Sequence, residues 1–130
     1  MRFLLIILAL IIFSTTVRSN KIPVELTYGF WGDYVGYIKC NDIYYIEQRR
    51  LETNSSLGLA TSFTIETSDS ILNFQIKIVH IDKRDPKDYF FTFSIDTLKW
   101  IEFYVTTDKT NCERILKVKA HNTEYEPTRE

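Results

Sequence analysis

Apolar and polar residues alternate with a period of two along most of this chain. In Phe74-Gln75-Ile76-Lys77-Ile78 every second residue is apolar, and successive side chains of a strand point to opposite faces, so one face is built for a core. The pattern returns in Phe63-Thr64-Ile65-Glu66, Phe91-Thr92-Phe93-Ser94-Ile95, Ile101-Glu102-Phe103-Tyr104-Val105 and Leu116-Lys117-Val118-Lys119-Ala120. These runs are rich in β-branched and aromatic residues, which suit a pleated, half-buried surface. Tyr34 to Cys40 and Ile43 to Gln48 complete seven predicted strands, with Asn41-Asp42 between them as a two-residue hairpin turn.

The intervening segments carry turn chemistry. Glu52 to Ser56, Thr67 to Ser70, Asp82 to Asp88 and Thr107 to Asn111 are dominated by Asp, Asn, Ser, Thr and Lys, with Pro86 in the third. Seven short strands at near-regular spacing predict an all-β fold: a single small antiparallel β-sandwich, immunoglobulin-like in strand number, over residues 20–122. A small closed barrel is the alternative. An open sandwich leaves unpaired edge strands, through which a homodimer could form. Residues 123–130 are polar, carry Pro127 and are expected to form a flexible tail.

The first residues break the pattern. Arg2 precedes an unbroken apolar run from Phe3 to Phe13, followed by a short polar stretch ending in Val17-Arg18-Ser19. The run is shorter than the about 20 apolar residues a membrane-spanning helix needs, and its flanks match a secretory signal peptide cleaved after Ser19. The expected location is therefore extracellular, with no transmembrane anchor. Removing Arg2 and Arg18 from 16 basic residues leaves 14 against 17 acidic ones. That balance argues against a nucleic-acid partner, whose phosphates are neutralised by an excess of Lys and Arg.

Export changes the reading of the only two cysteines. In an oxidising compartment a lone pair usually bridges, so Cys40 and Cys112 are expected to form a disulfide. Such a staple would contribute about 4 kcal/mol in the chain-entropy model. Asn54-Ser55-Ser56 fits the N-glycosylation pattern, which makes Asn54 a candidate glycan site. His80 and Asp82 share a strand phase with Asp85 and Asp88 following, but the spacing is that of neither a zinc nor a calcium motif. They are read as a solvated hairpin tip, with no metal and no cofactor. No nucleophile elbow, zinc-protease motif or phosphate loop occurs, so the chain is not expected to be an enzyme.

The aromatic content, 8 Tyr, 9 Phe and 2 Trp, exceeds what a core of this size needs. Phe30, Trp31, Tyr44 and Tyr45, rimmed by Arg49 and Arg50, form a candidate binding surface for an extracellular protein or a cell surface. The alternative is a carrier holding a lipid or other small apolar ligand between the sheets, lined by Phe63, Phe91, Phe93 and Phe103. The interior discriminates, because a carrier needs a cavity of several hundred Å³.

Three stretches carry a family resemblance. Gly36-Tyr37-Ile38-Lys39-Cys40-Asn41 resembles the first strand of the nematode transthyretin-like family, which ends in a Cys-Asn-Gly turn. Ile76-Lys77-Ile78-Val79-His80 resembles that family's Leu-Lys-Ile-Tyr-His strand, and Tyr89 to Ile95 stands in the place of its following strand. Cys112 stands near its terminal Arg-Asp-Cys. The chain differs in having Asp42-Ile43-Tyr44 after the Asn and Ile81-Asp82 where the family has a cysteine pair. The resemblance implies a secreted, non-catalytic, prealbumin-type sandwich that binds or bridges.

Overall fold

The computed structural model describes residues 19–125. The expected signal peptide therefore lies, apart from Ser19, outside the described residues. Eight strands are present: β1 Asn20–Leu26, β2 Trp31–Cys40, β3 Ile43–Glu52, β4 Thr61–Thr67, β5 Ile71–Val79, β6 Lys87–Ser94, β7 Trp100–Thr107 and β8 Arg114–His121. They form two four-stranded sheets in the orders β4-β1-β7-β8 and β3-β2-β5-β6. All pairings are antiparallel except β1 with β7. The expected sandwich is thus formed. Its first strand bonds to the fourth and seventh rather than to the second, unlike the constant-type immunoglobulin order.

Seven of the strands coincide with the alternating runs, and β1 is additional. Pro23 hides it, because proline removes a ladder donor and argues against a central strand. The register shows why it is tolerated. Pro23 lies opposite Thr64 of β4, whereas the pairing with β7 starts only at Val24. The β2–β3 turn is the predicted one: Asn41 and Asp42 both have positive φ, 48° and 66°, as a two-residue hairpin of matching twist requires.

The alternation puts Leu72, Phe74, Ile76 and Ile78 of β5 into the core against Val24, Leu26, Ile101 and Phe103 of the other sheet. Burying each such side chain contributes about 1.5–3 kcal/mol relative to leaving it in water. Phe103 sits at the centre, its ring 5.2 Å from Phe74 and 5.7 Å from Phe91, and Phe93 packs 6.0 Å from Phe74. Phe63 stacks on Tyr45 at 5.0 Å. The phenylalanines expected to line a ligand space therefore pack on one another, on Phe74 or on Tyr45.

One expectation is corrected. Cys40 and Cys112 are both free thiols, the first buried and the second exposed. Cys40 ends β2 at the pole where Asn41 bonds to Asp69 and Ile71. Cys112 lies in the β7–β8 loop, its N–H donating to Asp108 at 2.8 Å, and Arg114 just beyond it reaches Asp33 near the start of β2. Cys40 lies seven positions beyond Asp33 along the strand, roughly 23 Å at about 3.3 Å per residue. A disulfide needs Cα atoms within about 7 Å. The two sulfurs stand at opposite poles of the sandwich.

Tyr125, expected in the flexible tail, donates from its hydroxyl to Glu25 at 3.2 Å and meets Trp100 edge-on at 5.5 Å. The rest of the tail, residues 126–130, lies outside the described residues.

Candidate functional site

At the Cys112 pole the apolar phase of three strands runs into polar residues. Asp33 stands two residues before Val35 on β2, and His80 two residues after Ile78 of β5, so both side chains point inward. Tyr89 of β6 occupies the same layer, and Arg114 opens β8 from the opposite sheet. All four are buried. His80 Nδ1 lies 2.7 Å from Asp33 Oδ2, and His80 Nε2 lies 2.7 Å from the Tyr89 hydroxyl. Arg114 Nη2 donates to Asp33 Oδ1 at 2.8 Å and to the Gly29 carbonyl. The Trp31 backbone N–H donates to Asp33 at 3.0 Å, and the Leu116 N–H to the Tyr89 oxygen at 3.2 Å.

These bonds close on themselves. A carboxylate accepts only, so His80 Nδ1 carries a proton, and in the neutral imidazole Nε2 then accepts from the Tyr89 hydroxyl. Burial pushes the Asp33 pKa upward, but the bonds from His80, Arg114 and the Trp31 N–H outweigh it and bring the pKa down to about 2. Burial raises the Tyr89 phenol, partly offset by the Leu116 N–H. An Asp-His-hydroxyl series is the geometry of a catalytic relay. Here the terminal hydroxyl is a buried phenol with a raised pKa that already accepts a backbone N–H. The arrangement is a buried polar clasp that joins β2, β5 and β6 of one sheet to β8 of the other.

The sequence reading placed His80 with Asp82, Asp85 and Asp88 at a solvated tip. The three carboxylates are exposed, but His80 is buried and turned to Asp33. Asp82 instead accepts the Arg114 backbone N–H at 3.4 Å. The signal that would have found the cluster is two ionisable residues, Asp33 and His80, standing in the apolar phase of their strands. Its long-range partner Arg114 carries no such mark.

The candidate binding surface does not come together as one patch. Phe30 is fully buried in the core, and this corrects its assignment to the surface. Trp31 is 64% exposed and Tyr44 50% exposed. Trp31 opens β2 while Tyr44 lies opposite Lys39 near its other end, roughly 25 Å along the strand. Tyr45 is half-buried on Phe63. Arg49 donates to Thr61 at 3.3 Å and Arg50 to the Gly32 carbonyl at 2.6 Å, so the two arginines diverge. Asn54 is exposed in the β3–β4 loop, and its side-chain oxygen accepts from Ser56 N–H at 2.9 Å.

Two surfaces emerge instead. On the outer face of the β3-β2-β5-β6 sheet, Tyr37 and Tyr44 meet edge-on at 5.7 Å. Lys39 and Lys77 place their ammonium groups 5.8 Å and 5.6 Å from the Tyr37 ring. Gln75 donates to the Tyr37 hydroxyl at 2.9 Å, and Phe90, opposite Gln75 on β6, is 68% exposed. At the clasp pole, Trp31, Tyr28, Ser55, Thr106, Thr107 and Arg114 line an open cleft of about 450 Å³. Tyr28 is backed by Tyr104 at 4.9 Å, and the Trp31 ring lies 4.8 Å from the Arg114 guanidinium. Among the described residues no group of three or more His, Cys, Asp or Glu could hold a metal ion.

No protein-family model, curated protein or solved structure matches the chain.

Proposed function

We propose that the chain is an exported, non-catalytic sandwich of the transthyretin-like type that binds or bridges. Its partner is an extracellular protein, alone or at a cell surface, met through the outer face of the β3-β2-β5-β6 sheet. The carrying observation is Phe90 and Tyr44 standing in water on rigid strands, with Tyr37 and two lysines between them. Exposed aromatics on a fixed scaffold are typical interface anchors. The lysines, on a chain with 17 acidic and 16 basic residues, suit a partner with an acidic rim.

Export is supported by β1, which begins at Asn20, directly after the expected cleavage point, so removing Met1 to Ser19 leaves the sandwich whole. The family reading rests on the sequence of the three resembling stretches, which fall in β2, β5 and β6. A carrier role is less favoured, because Phe74, Phe91 and Phe103 occupy the space between the sheets.

The test is capture from extracellular fluid on the mature protein, compared with Tyr44→Ala/Phe90→Ala. A protein retained by the wild type, released by an acidic competitor and lost with the double variant supports the proposal. Identical bound proteins on both surfaces would refute it.

A further inference from the structure

We propose that the cleft between Tyr28 and Trp31 is a saccharide site for a sugar bearing an exocyclic carbonyl or carboxylate oxygen. It is separate from the sheet face assigned to a protein partner. The lining is divided by chemistry. Tyr28 and Trp31 stand partly in water, and Ser55, Thr106 and Thr107 bring hydroxyl-bearing residues to the same lining. A pyranose has the matching division, a C–H face that packs on an aromatic ring and a rim of hydroxyls. Aromatic rings with a few placed polar groups are the usual lining of small-ligand pockets.

Arg114 supplies the specific element. The residue is 8% exposed, and its Nη2 is committed to Asp33 and Gly29. Its Nε–H is buried without an acceptor. A buried donor left unpaired is destabilising, and an arriving oxygen relieves it. Asp33 already balances the charge, so the oxygen can belong to a neutral acetamido group as well as to a uronic acid. The Trp31 indole lies over the guanidinium, 4.8 Å from it, and the proposed site requires this exposed side chain to rotate, giving the sugar oxygen access to Nε and closing the indole onto the sugar. The wall of the cleft is fixed by a close backbone contact. Gly29 at φ +89° has no Cβ, and one would overlap the Val105 carbonyl.

The experiment is an NMR titration of the refolded mature chain carrying Asn54→Gln, so that no glycan is attached beside Ser55. The probes are diacetylchitobiose, a glucuronic-acid disaccharide, and cellobiose, which has neither oxygen. Saturable shifts at the Trp31 indole, Arg114 Nε–H and Thr106 are expected with at least one of the first two, at millimolar affinity. Salt that weakens binding identifies the carboxylate source; indifference to salt identifies the acetamido one. Trp31→Ala should weaken binding by about tenfold or more while Phe90→Ala leaves it unchanged. Equal binding of cellobiose, no saturation with any probe, or full binding by Trp31→Ala would overturn the proposal.

Discussion

Replacing Asp33 with asparagine keeps the shape of the side chain and removes its charge. Arg114 then remains buried at the sheet interface without a counter-ion, and the single amide oxygen cannot replace both carboxylate oxygens, of which one accepts from His80 and the other from Arg114. Removing one partner of a buried ion pair costs about 3–5 kcal/mol. The ionisation-linked part follows from the carboxylate's ordinary value of 3.8 and its value of about 2 in the fold. At ~1.4 kcal/mol per pH unit the difference is worth about 2 kcal/mol. Because the folded-state pKa is the lower one, that contribution is present above the ordinary value and lost as pH falls toward about 2. The assay is thermal unfolding by circular dichroism at neutral pH, repeated as the pH is lowered from about 5 to about 2. Asp33→Asn should melt roughly 15–25 °C below wild type at neutral pH and show a shallower acid dependence. Adding Arg114→Met should recover part of the loss, since an uncompensated charge is worse than no charge. A single variant melting within about 5 °C of wild type, with an equally steep acid profile, would refute the clasp.

Thiol reactivity separates the cysteines: in the native protein an aromatic disulfide reagent should label Cys112 and spare Cys40, whose thiol burial pushes up to about 12. Intact-mass measurement of oxidised protein showing a Cys40–Cys112 bridge would contradict the separation. Cys112→Ser should change stability by less than about 0.5 kcal/mol in urea unfolding. Gly29→Ala and Gly58→Ala both force alanine to positive φ, but only the first overlaps a backbone carbonyl. Urea unfolding should show the Gly58 variant losing about 1 kcal/mol or slightly more, and the Gly29 variant losing at least twice that or failing to fold. Phe103→Ala should cost about 3–5 kcal/mol and Phe90→Ala under about 0.5 by the same measurement, because one ring fills the core and the other stands in water.

Period-two alternation was enough to read the strands, because between bulges such as those of β2 a residue's face follows its parity along the chain. Seven of the eight strands and the Asn41-Asp42 turn were legible for that reason. β1 was not, since Pro23 is acceptable only where β7 has not yet joined the ladder, a fact of strand order. The cysteine pairing failed for the same kind of reason. Counting cysteines gives a partner by elimination, while the strand directions send Cys40 and Cys112 to opposite poles. The clasp lay between the two cases: Asp33 and His80 could be seen as polar residues in an apolar phase, but their meeting with Tyr89 and Arg114 required two sheets to be stacked. Phe30 and Trp31, adjacent in the chain, part company: Phe30 enters the core from the loop before β2, and Trp31 stands in water at the strand's first position, where the register with β3 shifts. Local chemistry thus decided which segments are strands, and the packing of one sheet on the other decided which side chains meet.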